Sequence, residues 1–304
     1  MAIEGLHHIT AITGDAPRNV DFCARVLGLR LVKKTVNFDQ PDVYHLYYGD
    51  EAGAPGSILT FFEFPGAARG NAGDGMVHTI VWRAAAPEAL DFWSQRLTNE
   101  GVAVAWDPGG LLRFHDFEGL THEIVPSEAG DPPLSAVALD IPAEHRLLGF
   151  HGVRAYAQAP DRSAPLLTSL GFTRRSEGGA WIAQGARRHG VIHYDPPPAG
   201  RGIPGAGTVH HVAWSAADDA ELTALRDDAI GAGARPTPII DRQYFHSVYF
   251  REPSGVLFEL ASRDIGFAVD EDAAQLGTQL KLPPQYEDRR ERIEAVLTPL
   301  PSPR

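Results

Sequence analysis

The chain has 304 residues, of which 43% are hydrophobic and 22% are charged, and its formal net charge is −12. This composition suffices for a packed core and argues against disorder. The negative charge disfavours nucleic acid as a partner, and no apolar run approaches the roughly 18 residues that a membrane span requires.

Cysteine usage and the amino terminus both bear on where the protein resides. Cys23 is the single cysteine, which excludes an intrachain disulfide. The amino terminus lacks the basic and apolar segments of a signal peptide. We therefore expect a soluble protein of the reducing cytoplasm that does not associate with membranes. The sequence leaves open whether the chain forms a homo-oligomer.

Four short segments along the chain resemble one another and are rich in strand-forming residues. Each carries a histidine at its second position, and a helical pattern follows each one. The segments are LHHITAI (6–12), VHTIVWR (77–83), FHGVRAY (150–156) and VHHVAWS (209–215). The helical patterns cover residues 15–28, 87–101, 161–171 and 218–233.

Further strand-like segments follow each helical pattern, so each unit predicts a β-α-β-β-β module. They cover residues 44–49 and 57–64, 111–117 and 120–125, 180–185 and 190–195, and 247–253 and 256–262. We assign a first pair of modules to residues 1–135 (1–65 and 76–126), a second pair to 145–262 (149–195 and 207–262), and a carboxy-terminal tail with a short helix to 263–304.

One such module cannot bury its own sheet face, whereas two side by side form an eight-stranded, cupped sheet. The predicted fold class is therefore α+β, with four modules forming two cupped eight-stranded mixed sheets. The inner face of such a sheet is a natural site for a small molecule.

The third positions of the four repeated segments are His8, Thr79, Gly152 and His211. Because neighbouring residues of a strand point to opposite faces, His8 and His211 should share one face. The second-position residues should share the other face; they are His7, His78, His151 and His210.

When the modules are aligned, one position of the closing strand lies four residues after a glycine, and we call it the carboxylate column. It is occupied by Glu259 in the fourth module, Glu123 in the second and Thr60 in the first. Two histidines and one carboxylate form a facial triad that leaves coordination positions open. We therefore predict a metal site formed by His8, His211 and Glu259, which requires modules 1 and 4 to pair, and modules 2 and 3 to form a structural second sheet.

Residues next to these ligands are expected to have supporting roles. His7 and His210 should assist by contacting the ligand histidines rather than the metal. Thr10 shares the face of His8 and should line the substrate pocket. The other histidines, including His45, are interpreted as structural or surface residues.

The segments HHIT, HHVAW and YFREPSGVLFELAS resemble those of the vicinal oxygen chelate superfamily. A more extensive resemblance, which includes VYHLYYGDEAGAPGSILTFF, DRQYFHSVYF and GFAVDEDAAQLGTQLKLPPQYED, is to hydroquinone and chlorohydroquinone 1,2-dioxygenases. In that family the metal ligands correspond to His8, His211 and Glu259. The superfamily signature also has a histidine before its tyrosine, which suggests His246 as a pocket residue.

The resemblance implies a non-haem iron(II) enzyme, with manganese(II) as the alternative metal, that uses dioxygen to open a hydroquinone-like aromatic ring in aromatic catabolism. It implies Tyr249 as an active-site tyrosine and Arg242 as a residue that fixes the strand or positions a substrate oxygen. Tyr249, His7 and His210 are the candidates for acid–base chemistry.

Three other functions stay open on the sequence. A catechol would chelate the metal with two oxygens, and the sequence does not separate it firmly from a para-diol. A glyoxalase-like isomerase would need a fourth protein ligand where Thr60 stands. A non-enzymatic binding protein of the same fold would need no metal triad.

Overall fold

The computed structural model describes residues 3–127, 130–175 and 179–301. Four β-α-β-β-β modules follow one another along the chain, as predicted. The first contains β1 (Leu6–Thr13), α1 (Ala16–Val20), β2 (Arg30–Asn37), β3 (Gln40–Gly49) and β4 (Ile58–Glu63). The second contains β5 (Val77–Ala84), α2 (Pro87–Asn99), β6 (Val104–Trp106), β7 (Leu112–His115) and β8 (Thr121–Pro126).

The third and fourth modules repeat this order. The third contains β9 (Phe150–Tyr156), α3 (Ala164–Ser169), β10 (Phe172–Arg174), β11 (Ala180–Gln184) and β12 (His189–Asp195). The fourth contains β13 (Thr208–Ala216), α4 (Asp219–Gly231), β14 (Ile240–Asp241), β15 (His246–Arg251) and β16 (Leu257–Ser262).

Two eight-stranded mixed sheets result, and they confirm the predicted fold class and module pairing. The first sheet has the order β14-β15-β16-β13-β1-β4-β3-β2 and joins modules 1 and 4. The second has the order β10-β11-β12-β9-β5-β8-β7-β6 and joins modules 2 and 3. Each sheet thus takes one module from each of the two sequential pairs, and the boundaries of those pairs stay a prediction.

The first helix shows how local sequence signals shape a module. Asp15 caps the helix by accepting a hydrogen bond from the Arg18 backbone N–H at 3.0 Å. The predicted helix of residues 15–28 is in fact α1 followed by a π-helical segment, Asp21–Val26. Gly28 then adopts a φ of 70°, a conformation that favours glycine and ends the helix.

Sequence patterns did not single out β2, β6, β10 or β14, which are the four edge strands of the two sheets. Three of them are only two or three residues long. The fourth, β2, contains Lys33 and Lys34, which interrupt its apolar pattern. Lys33 is nevertheless fully buried. Two acidic residues compensate its buried charge, because its Nζ lies 2.6 Å from Asp270 and 2.5 Å from Glu271.

Those two acidic residues belong to the tail, which packs against the first module. Leu280 forms a bridge with Lys34 of β2, and Tyr286 donates a hydrogen bond to the Phe38 carbonyl at 2.7 Å. Phe267 is buried against aromatic residues of the first sheet. The predicted tail helix is the 3-10 segment Pro284–Arg289 followed by α5 (Arg290–Glu294).

We expect Lys33→Ala to lower the free energy of unfolding by about 3 kcal/mol or more, because it leaves two partly or fully buried carboxylates without their cation. Lys34→Ala is the matched control, since Lys34 Nζ makes a long contact of 3.4 Å with the Thr278 carbonyl and forms no ion pair with a described residue. The control should cost less than about 1 kcal/mol. Urea unfolding of both variants tests this, and equal losses would contradict the assigned role of Lys33.

Candidate metal centre

The register of three neighbouring strands brings the predicted ligands together. Ala213 of β13 pairs with His8 of β1 on one side and with Glu259 of β16 on the other. Residues paired in this way point to the same face of a sheet. His211 lies two residues before Ala213 and shares that face. The small side chain of Ala213 therefore leaves the space between the three ligand groups open.

The three ligand atoms are close enough to bind one ion. His8 Nε2 lies 3.2 Å from His211 Nε2 and 3.1 Å from Glu259 Oε2, and His211 Nε2 lies 2.9 Å from Glu259 Oε2. Ligands bound at right angles, about 2.1 to 2.2 Å from one metal ion, lie roughly 3.0 to 3.1 Å apart. The observed separations therefore fit three adjacent positions of a facial triad.

The Glu259 carboxylate shows why a cation fits here. Its Oε1 accepts a hydrogen bond from Ser247, whereas its buried Oε2 accepts none from the described part of the chain. Burial alone would raise the pKa of Glu259, but His8 and His211 outweigh burial and hold that pKa well below its usual range. When His8 and His211 present their Nε2 lone pairs to it, this buried, charged oxygen lacks a donor and is costly, and a divalent cation would satisfy it.

Two further histidines orient the ligand histidines. His7 Nε2 lies 3.0 Å from the Ser262 carbonyl oxygen, which can only accept, so this nitrogen carries the hydrogen. Burial, reinforced by His8, lowers the pKa of His7 to about 3, so the ring is neutral and its Nδ1 is an acceptor. His8 Nδ1–H can donate to that Nδ1 over 2.9 Å, which leaves the His8 Nε2 lone pair for a metal. His210 Nδ1 lies 2.7 Å from His211 Nδ1 in the same arrangement.

Strand alternation alone does not predict these contacts, because each supporting histidine lies in a β-bulge. Along the β1–β13 pair, β1 advances by two residues across His7 while β13 advances by one. The reverse holds at His210. A bulge re-aims a side chain relative to regular alternation. The other two second-position histidines, His78 and His151, occupy equivalent register shifts between β5 and β9.

A cavity of about 390 Å³ opens above the ligand histidines. Tyr249 and Arg242 line it, and the Arg242 guanidinium carbon lies 5.5 Å from the centre of the Tyr249 ring. Arg242 also pairs with Asp39 at 3.2 Å. Burial, followed by the charge of Glu259, raises the pKa of the Tyr249 hydroxyl well above its usual value. Much of the remaining wall is apolar and includes Phe38, Phe62, Phe64, Ile240, Phe245 and Leu257.

Two residues expected in the pocket are placed elsewhere. Thr10 is buried beneath Thr60, from which its hydroxyl accepts a hydrogen bond at 2.9 Å. His246 lies on the opposite face of its strand from Ser247 and Tyr249, and its Nδ1 lies 2.6 Å from Asp219 of α4. The sequence also missed His45 and Tyr47, which do line the cavity. Their alternate positions on β3 were the available signal.

No helix in the described ranges is long and apolar enough to cross a membrane.

The glyoxalase/bleomycin resistance protein/dioxygenase superfamily model matches residues 5–110 and 146–260. The chain therefore belongs to this superfamily, as the sequence motifs predicted.

Two curated relatives share almost the whole chain. The protein named "Putative ring-cleaving dioxygenase MhqO" of Bacillus subtilis is 40% identical over 97% of this chain and 96% of its own length. The chlorohydroquinone/hydroquinone 1,2-dioxygenase of Sphingobium indicum is 33% identical over 96% of this chain and 95% of its own.

Solved structures agree on the fold. A Bacillus subtilis structure described as a "putative dioxygenase" has a TM-score of 0.92 and 40% identity, and covers 99% of this chain and 98% of its own. Glyoxalase I from Zea mays has a TM-score of 0.60 and 15% identity, covering 86% of this chain and 92% of its own. At that identity the maize enzyme supports the fold alone.

We expect Glu259→Gln to abolish stoichiometric binding of a divalent metal, because the amide removes the buried negative charge. Glu123→Gln is the matched control, since Glu123 occupies the same column in the second sheet, is equally buried and pairs with Arg113 at 2.6 Å. Metal content after reconstitution, measured by mass spectrometry, should fall only in the first variant. Retained metal in Glu259→Gln would contradict the assigned site.

Proposed function

We propose that this protein is a ring-cleaving dioxygenase that uses non-haem iron(II) and dioxygen to open a hydroquinone-like aromatic ring. The observation that carries the proposal is the buried cluster of His8, His211 and Glu259 at the base of a largely apolar cavity. Three protein ligands on one side leave coordination positions free for substrate and dioxygen. The names of two full-length relatives support the same reaction class.

Bound iron(II) would supply a site at which a phenol and dioxygen meet and exchange electrons. In the overall reaction both oxygen atoms enter the product and one ring carbon–carbon bond breaks. We expect manganese(II) to be the alternative metal.

The cavity residues would position the substrate and keep water away from it. The flat aromatic walls fit a ring, and the Arg242 guanidinium offers hydrogen-bond donors to a ring oxygen. Tyr249 stays protonated because its pKa is raised, so its hydroxyl can donate a hydrogen to an oxygen of substrate or product. His210 is exposed toward the cavity, and with Nδ1 facing His211 it can present Nε2–H.

A glyoxalase-like isomerase would need a fourth metal ligand at position 60. That residue is Thr60 here, and its hydroxyl contacts Thr10 and His45, each at 2.9 Å. The ligand set proposed for this protein therefore has three members, which favours dioxygenase over isomerase chemistry. The buried, free Cys23 agrees with our proposal of a reducing cytoplasmic location.

Anaerobic reconstitution with iron(II), followed by oxygen-electrode assays, tests the proposal. We expect hydroquinone and chlorohydroquinones to consume one dioxygen per molecule, with formation of a ring-opened product. Glu259→Gln is the negative control. Isomerisation of a glutathione hemithioacetal without oxygen uptake would overturn the proposal, and so would phenol binding to protein that takes up no metal.

Tyr249→Phe should lower kcat/KM for hydroquinone by about 100-fold, because the positioned hydroxyl is lost while ring packing is kept. Metal content should not change, since Tyr249 is not one of the three ligand groups and its ring packs on that of His211 at 5.8 Å. Steady-state kinetics and metal analysis of the same preparation check this. An unchanged kcat/KM would remove Tyr249 from the mechanism.

A further inference from the structure

A chain of hydrogen bonds runs along the wall of the cavity that is formed by module 1. The Tyr47 hydroxyl lies 2.8 Å from His45 Nδ1, and His45 Nε2 lies 2.9 Å from Thr60 Oγ1. Thr60 donates to Thr10 Oγ1 at 2.9 Å. Tyr47 and His45 line the cavity, whereas the two threonines are fully buried beneath it.

Strand register explains why these groups meet. Tyr47 of β3 pairs with Thr60 of β4, which pairs with Thr10 of β1, and Thr10 in turn pairs with His211 of β13. These four residues form one row across the first sheet, with all side chains on the inner face. The network therefore connects a wall of the cavity with the strand that carries a proposed metal ligand.

The donors and acceptors of this hydrogen-bond network follow one direction. Thr60 uses its single hydroxyl hydrogen toward Thr10, so it accepts from His45 Nε2–H. Burial disfavours a charged imidazole, so His45 takes the neutral tautomer that carries its hydrogen on Nε2. Its Nδ1 is therefore an acceptor, and the Tyr47 hydroxyl must donate to it.

This direction leaves the Tyr47 oxygen with lone pairs and no hydrogen to offer. Tyr47 is only 2% exposed and is packed against Tyr244 and Phe267, so its hydroxyl has little freedom to turn. His45 is held from both sides, by Tyr47 at a ring distance of 4.0 Å and by Phe62 at 4.3 Å. The cavity wall thus presents a fixed hydrogen-bond acceptor in a largely apolar setting.

We propose that the Tyr47 oxygen accepts a hydrogen bond from a second hydroxyl group on the aromatic ring, so that the Tyr47–His45 pair selects a para-diol over a simple phenol. This inference rests on the proposed dioxygenase function. It separates diol types because a catechol would place both oxygens on the metal, whereas a para-diol keeps one hydroxyl away from it. Among the other acceptors that line the cavity, Asp39 carries a negative charge, but its side chain is 78% exposed and paired with Arg242.

Binding measured without dioxygen tests the inference apart from turnover. Iron(II)-loaded protein is titrated under nitrogen with hydroquinone and with 4-methylphenol, which replaces the second hydroxyl by a methyl group of similar size. We expect Tyr47→Phe to weaken hydroquinone binding by about tenfold and to leave 4-methylphenol binding within about twofold, as the loss of one hydrogen bond predicts.

Tyr48→Phe is the matched control, because Tyr48 lies on the same strand, faces the other side and donates to Asn19 at 2.9 Å. It should leave the affinity for both ligands unchanged. A second variant, His45→Phe, keeps the ring stack but removes the acceptor for Tyr47. The freed Tyr47 hydrogen should then tighten binding of 4-methoxyphenol severalfold, since its methoxy oxygen can only accept.

Each result decides for or against the inference. Equal weakening of both ligands in Tyr47→Phe, or unchanged hydroquinone binding, overturns it while the dioxygenase proposal stands. Loss of the preference for hydroquinone in Asp39→Asn instead assigns the acceptor role to Asp39 and also overturns it. Wild-type protein that takes up iron(II) but binds neither ligand contradicts the proposed function, and this inference falls with it.

Discussion

The register of β1, β13 and β16 around Ala213 is the constraint on which the candidate centre depends. It sets His8 and Glu259 on either side of one small residue and places His211 on the same face. The resulting site buries a carboxylate oxygen that the described part of the chain does not satisfy. A divalent cation would satisfy it, so metal binding and the pairing of the first and last modules should stabilise each other.

A β-bulge that recurs in every module is the second feature that positions side chains around the candidate centre. Every module carries a histidine at a register shift between central strands, but the partner differs from sheet to sheet. In the first sheet, His7 and His210 reach the Nδ1 atoms of the two ligand histidines. In the second sheet, His78 instead lies 2.9 Å from Asp195. The same backbone feature thus supports the candidate metal centre in one sheet and a histidine–carboxylate contact in the other.

The tail completes the inner face of the first sheet. Lys33 fixes Asp270 and Glu271 there, and Phe267 packs on the rings of Tyr47 and Tyr244. This packing holds Tyr47 in place, so the predicted acceptor in the cavity wall depends on a segment outside the four modules. The tail is therefore part of the architecture of the cavity.

The sequence by itself determined the four modules, the fold class and the three candidate ligands. Those features follow from local periodicity and from columns that repeat along the chain, so they need no knowledge of distant contacts. The sequence did not reveal the edge strand β2, because the buried charge of Lys33 is explained only by acidic residues more than 230 positions away.

Tertiary structure alone decided how the remaining site residues are used. Regular alternation predicts that His7 points away from His8, and only the bulge turns the two rings toward each other. Thr10 was expected in the cavity and is buried, whereas His45 was expected to be structural and lines the cavity. Packing between strands explains both outcomes. Thr60 covers Thr10, whereas His45 lies two residues before Tyr47 on β3, shares its face and so reaches the cavity. Such contacts arise from strand register and side-chain packing, which a one-dimensional pattern does not encode.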